Sequence, residues 1–149
     1  MKIFKNLILS LFVSVLSFNV CMAQGIGYID YTKVQENYSF AKEAAKEIDA
    51  KSLELQQYLV DKEKQYKSLD TPLKKKNFEE KTTQEFKAKQ EAFFKLKKDK
   101  EDAVFNKIRS AANEVLIEQK LDAVVDYRVI FVGGTDITNL VINKLNGKK

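Results

Sequence analysis

A serine beside a lysine is the one nucleophile–base pairing that this sequence supplies in any number, because it contains no histidine and a single cysteine, Cys21. The absence of histidine removes the commonest general base and a principal zinc ligand. After residue 23, Ser39, Ser52, Ser68 and Ser110 are present, but each lies on or beside runs of lysine and glutamate where a solvated polar position explains it. Gly133-Gly134-Thr135 has the glycine content of a phosphate-cradling loop, yet no G-x-x-x-x-G-K-[ST] surrounds it, and a turn before a helix accounts for it. Carboxylates are plentiful but alternate with lysines at helical spacing, as Glu63 with Lys67 and Glu91 with Lys95. That is the pattern of surface ion pairs. These residues predict no enzyme, no bound metal, no cofactor and no ATP.

What remains is the chemistry of contact. Tyr58, Tyr66, Phe78, Phe86, Phe93, Phe94 and Phe105 are spread through the charged stretch. Packing between helices is the default reading of each. Phe93 and Phe94 are adjacent, however, so both cannot point into one narrow seam, and exposed aromatics on an arm suit weak contact with unfolded apolar chain. Lys74-Lys75-Lys76 is either a solvated helix start or an anchor for an anionic surface.

These residues sit on Ala41 to Gln119, a stretch without glycine and with one proline, Pro72. Its lysine, glutamate and glutamine content favours helix throughout and leaves little surface for a globular core. Ala41, Ala45, Ile48, Ser52, Leu55, Leu59, Lys62, Tyr66 and Leu69 follow steps of four and three, a seam for packing one helix on another. Asp70-Thr71-Pro72 interrupts it, since proline disfavours helix in the residue before it and fits a first helical turn. The prediction is an antiparallel helical hairpin with Thr71 near the tip and arms of roughly 45 to 70 Å.

The N-terminus has another character. Met1 to Ala23 carries Lys2 and Lys5, no acidic residue, an apolar run from Leu7 to Phe18, and a small-x-small ending at Cys21-Met22-Ala23. This predicts a secretory signal peptide, residues 1–23, cleaved after Ala23. The rival reading, lipidation of Cys21, is disfavoured by Phe18, Asn19 and Val20 before it. Removal of the segment takes away the only cysteine and lowers the net charge from +5 to +3. The product is expected to be exported, soluble and free of disulfides. Export also disfavours a nucleic-acid partner despite the basic composition.

Flanking the hairpin are segments of strand character. Ile26-Gly27-Tyr28-Ile29-Asp30 predicts a strand, and Thr32 with Gln35 has the spacing of a capping box for a short helix to about Asn37. After the arms, Leu121 to Asp126 and Arg128 to Val132 predict two strands around a turn near Tyr127, the second ended by Gly133-Gly134-Thr135. Asp136 is expected to cap a terminal helix with Ile137, Leu140, Val141 and Leu145 on its apolar face. The organisation is then a body from 24–40 and 112–149, and an arm from 41–111 with its tip near 70–76. A body of about 55 residues without disulfide or metal supplies little stability alone, which predicts an obligate oligomer.

The order of signal peptide, Gly27-Tyr28-Ile29-Asp30, long Lys/Glu/Gln hairpin, Leu121-Asp122-Ala123-Val124-Val125-Asp126 and Asp136-Ile137-Thr138 resembles the Skp/OmpH family of periplasmic chaperones. The resemblance covers the whole chain after residue 23. It implies an α+β, mostly α fold in which three subunits build a small intersubunit β-barrel body and three hairpins enclose a cavity. The implied function is that of an ATP-independent periplasmic holdase for unfolded outer-membrane proteins. By this resemblance Ile29, Val124, Val125, Val129 and Phe131 contribute to the trimer core, and Tyr58, Tyr66, Phe78, Phe86, Phe93 and Phe94 are candidates for the cavity wall. Lys74, Lys75 and Lys76 are the nearest candidates for contact with anionic lipid or lipopolysaccharide. The alternative from another class is a coiled-coil spacer or adaptor of the cell envelope that docks one folded partner.

Overall fold

The computed structural model describes residues 25–147, so the expected signal segment lies outside the described residues. In chain order the elements are β1 (Ile26–Ile29), α1 (Tyr31–Asn37), α2 (Ser39–Lys67), α3 (Pro72–Glu118), β2 (Ala123–Asp126), β3 (Thr135–Asp136) and α4 (Thr138–Leu145). The fold is α+β, mostly α, with a small strand body and a long helical hairpin. β1 is the centre of a three-stranded sheet of order β2-β1-β3. Both pairings are parallel, with Ile26 opposite Ala123 and Gly27 opposite Thr135. The whole hairpin is therefore the crossover between β1 and β2.

Asp30 ends β1 and begins α1. Its side chain accepts from the Lys33 backbone N–H at 2.9 Å, while its own N–H donates to the buried Thr138 hydroxyl at 3.0 Å. The capping residue is thus Asp30 and not Thr32: the carboxylate at the strand end reaches the first turn directly. Val34 of α1, Ile108 and Val115 of α3, Val141 of α4 and Ile137 just before α4 are all but fully buried and form the centre of the body.

The arm is built as its composition requires. α2 and α3 extend about 44 and 70 Å at 1.5 Å per residue. Thr71 caps α3 through its side chain and Pro72 occupies the first turn, where its missing N–H removes no hydrogen bond. Along α2 the inner face runs through Ala41, Ala44, Ile48, Ser52, Leu55, Tyr58, Lys62, Tyr66 and Leu69. Ala44 and Tyr58 take the places expected of Ala45 and Leu59, which are exposed; the order of three- and four-residue steps changes at these two points, and the stripe otherwise keeps the expected positions.

Three other expectations are corrected. Arg128 to Val132 is not a strand: Tyr127–Val129 is a 3-10 turn, and the third strand is Thr135–Asp136. Gly133 and Gly134, both at positive φ, return the chain to the free edge of β1, where a Cβ on Gly134 would meet the Ile26 carbonyl oxygen at 3.2 Å. Asp136 does accept from the Thr138 N–H at 2.9 Å, but the helix boundary falls at Ile137. Leu140 is exposed, and Ile142 packs on the core instead.

Candidate functional site

The arm holds its aromatic residues at different depths. Tyr58, Tyr66, Phe78, Phe86 and Phe93 are half-buried, whereas Phe94 is 56% exposed with its ring centre 5.7 Å from that of Phe93. Phe93 lines a hollow of about 360 Å³ between the helices with Leu55 and Leu96. Tyr66 and Phe78 face each other at 6.3 Å, below a second hollow of about 380 Å³ that also includes Leu59, Thr82 and Phe86. The Thr82 hydroxyl is buried without a hydrogen-bond partner. On the surface of α2, Leu53 and Val60 are exposed as well.

Ion pairs join the arms at two levels among the described residues. Lys62 lies in the seam with its Nζ 3.0 Å from Glu85 Oε2, and the Tyr58 hydroxyl donates to the same oxygen at 2.7 Å. These two hydrogen bonds hold the Glu85 carboxyl below the usual carboxylate range, and the bond to Glu85 raises Lys62. Burial, then Glu85, push the Tyr58 hydroxyl up. The second tie is Lys100 to Glu47 at 2.6 Å. Glu47 and Lys62 are as far apart on α2 as Glu85 and Lys100 are on α3, so both pairs report one register. Lys62 was placed in the seam by periodicity. A charge there was itself the signal that the facing helix supplies a carboxylate.

The lysine cluster after the tip is less bare than its sequence. Lys74 pairs with Asp70 at 2.9 Å, Lys76 lies 4.0 Å from Glu80, and Lys75 sits over the Tyr66 ring at 5.4 Å. Lys74 holds the Asp70 carboxyl below its ordinary value.

At the body, a groove of about 550 Å³ opens beside β2, lined by Ile29, Tyr31, Phe105, Val124 and Val125. Ile29 is buried within the single chain, and Val124 packs against the same core. Arg128 forks onto Asp126, with Nε 2.7 Å from Oδ1 and Nη2 2.9 Å from Oδ2, which lowers the Asp126 carboxyl and shapes the turn after β2. No spacing rule pointed to that pair. Val129 and Phe131 lie on this turn and the loop beyond it, not on a strand; Val129 is 71% exposed and Phe131 fully so. Among the described residues no helix is long and apolar enough to cross a membrane.

The chain is similar to a solved protein of Caulobacter crescentus assigned as an outer membrane chaperone (OmpH-like). The identity is 11%, the TM-score is 0.40, and the match covers 83% of this chain and 85% of that one. No curated protein matches the sequence. The family model described as outer membrane protein (OmpH-like) matches residues 25–145, body and hairpin together, and the chain belongs to that family.

Proposed function

We propose that this protein is an ATP-independent holdase of the periplasm, exported by a signal peptide of residues 1–23, which keeps unfolded outer-membrane β-barrel proteins from aggregating. The observation that carries this reading is large apolar surface left open on a projecting hairpin, above all Phe94 and Leu53, the latter 65% exposed. Exposed apolar groups of this kind suit repeated weak contacts with a mobile chain, and their number along two arms raises the local concentration of binding surface. Membership of the OmpH-like family, a family of chaperones, supports it.

The working unit in this proposal is a homotrimer assembled through the body. The groove beside β2 and the open side chains of Val129, Phe131 and Val132 leave the body's apolar surface incompletely covered, and a body of about 55 residues gains stability from association. The residues assigned to that assembly are Ile29, Val124, Val125, Val129 and Phe131, and those assigned to the client are Tyr58, Tyr66, Phe78, Phe86, Phe93 and Phe94.

The test is solution mass by light scattering, alone and after mixing with a β-barrel protein freshly diluted from urea. A trimer that gains the mass of one client and keeps it in solution is the expected result. A monomer or dimer that leaves the client to aggregate overturns the proposal in favour of an envelope spacer.

A further inference from the structure

Five cations make six contacts with aromatic faces within 6 Å among the described residues: Lys62 over both Tyr58 and Phe78, Lys75 over Tyr66, Lys89 over Tyr58, Lys107 over Phe40 and Arg109 over Phe105. All six contacts are made by residues of α2 and α3 alone. Lys75, Lys89 and Lys107 share a second property: none makes an ion pair among the described residues. On the same helix Lys74, Lys76, Lys81, Lys87, Lys97 and Lys98 each face a carboxylate on the same helix or at the tip. Lys100 is tied to Glu47, and Lys95 has neither a carboxylate nor a ring within contact distance among the described residues. The three ring-covering lysines also share a face. At 100° per residue they fall within about 40° of one another around α3, in a row about 48 Å long. Their rings all come from α2 or its first turn, with ammonium-to-centre distances of 5.4, 5.0 and 5.0 Å.

The geometry points to a recognition row that selects acidic–apolar segments of unfolded polypeptide. The inference rests on the holdase reading and names the client chemistry that this reading leaves open. Each of these three ammonium groups lacks a carboxylate at ion-pair distance among the described residues and at the same time masks an apolar face. A carboxylate that approaches it supplies the missing charge and draws the flexible lysine aside. The uncovered ring then meets the side chain next to that carboxylate. Both halves of the contact are needed, so the occupant is a chain in which Asp or Glu adjoins an aromatic or aliphatic residue. The lysines stand about 21 and 27 Å apart along the helix, which an extended chain spans in roughly six to eight residues. A row along the arm, with carboxylates of α3 between its members, matches a line of separated charges better than the continuous charge of a lipid surface.

The experiment uses two synthetic peptides of about 16 residues, enough to span the row when extended. Both carry the same Phe and Leu positions; one has Asp and the other Asn beside them. Binding to the purified protein is followed by fluorescence anisotropy at low and raised salt. The wild-type protein is expected to hold the acidic peptide about tenfold more tightly, the size of a few exposed ion pairs acting together. In K75Q/K89Q/K107Q that ratio falls to near one. In K76Q/K87Q/K98Q, which removes the same formal charge from paired lysines, it persists. Circular dichroism establishes that both variants fold.

Equal loss in both triple variants, or loss in neither, overturns the proposal. So does a first variant that releases phosphatidylglycerol vesicles while it keeps its peptide preference, which assigns the row to lipid. A wild-type protein that holds both peptides at a ratio the first variant leaves unchanged rejects the row alone. One that holds neither, and lets an unfolded β-barrel protein aggregate, rejects the holdase reading and the row with it.

Discussion

Asn146 caps the arm helix α2 from the far end of the chain, through Ser39. Its Oδ1 accepts from the Ser39 backbone N–H at 3.3 Å and from the Ser39 hydroxyl at 3.1 Å, and its Nδ2 donates to the Asn37 carbonyl at 2.8 Å. α2 has no cap of its own, since Tyr38 at that position makes no side-chain cap bond. The cap that should be local is supplied by the residue that follows α4. Asn146→Ala is expected to lower unfolding free energy by about 1–2 kcal/mol, the size of a lost N-cap. Asn146→Asp retains the acceptor and loses the donor, so it should fall between. Urea denaturation followed by circular dichroism measures both.

Lys62, Glu85 and Tyr58 form a seam triad whose members depend on one another. Removal of one partner leaves another polar group half-buried, whereas replacement of all three by apolar residues leaves none. Lys62→Leu alone and Glu85→Leu alone should each lower the thermal midpoint. The triple variant that adds Tyr58→Phe should recover most of the loss, and a double-mutant cycle of Lys62 and Glu85 reads the coupling. Additive losses would show that the triad carries no joint function.

Phe93 and Phe94 should separate stability from capture. Phe93 lines the hollow between the arms and Phe94 stands open to solvent. Phe93→Ser is expected to destabilise the arm, while Phe94→Ser leaves the unfolding free energy within about 0.5 kcal/mol, as surface changes do, and weakens suppression of client aggregation. A Phe94→Ser protein with full suppression would remove that ring from the contact surface.

In the body, Ile108 is 2% exposed and touches the centre of the core. Ile108→Ala should cost about 2–5 kcal/mol, enough to threaten a body this small. Equilibrium unfolding checks it.

The pH profile follows from which carboxyls are held low. Lys67 lowers Glu63, Lys74 lowers Asp70, Tyr58 and Lys62 lower Glu85, Arg128 lowers Asp126, and Thr138 lowers Asp136. A lowered folded-state value stabilises above the unfolded value, near 4, and that contribution is lost as pH falls through the folded value. Tyr31, Tyr38, Tyr58 and Tyr66 are raised instead, so the neutral phenols favour the fold below pH 10.0 and this is lost as pH rises through their folded values. With no histidine in the chain, urea midpoints should be flat from about pH 5 to 9 and fall on both sides. A step near pH 6 or 7 would contradict this assignment.

The hairpin was readable because helix propensity, periodicity and a proline break all agree, and each acts locally. The body was only partly so. Val129, Ile130, Phe131 and Val132 have strand propensity, but a strand needs an edge, and both edges of β1 are taken by Ala123–Asp126 and Thr135–Asp136. Thr135 and Asp136 gave no apolar alternation to announce themselves; the two glycines before them were the only signal. Thr32 lost the cap to Asp30 because the strand end already presents a carboxylate at hydrogen-bond distance. Leu140 and Ile142 exchanged roles on a helix of eight residues, where one residue of rotation decides the face. On the arm, the rings were legible as residues, but their depth was not. Depth depends on which residue of α3 lies opposite, and no pattern within one helix contains that.

The parallel pairing of β1 with Ala123–Asp126 sets an order of events for a chain made from its N-terminus. Ile26–Ile29 appears first yet has no hydrogen-bonding partner until the entire hairpin has been synthesised. Helices form and zip from their own turn within microseconds, whereas non-local strand pairing waits on closure of the intervening loop. The arms should therefore be complete while the body is still open, and a central strand with two bare edges must survive that interval. For its own slowest step, the nascent chain meets the same hazard of exposed edges and uncovered apolar residues that its finished arms are proposed to relieve in others.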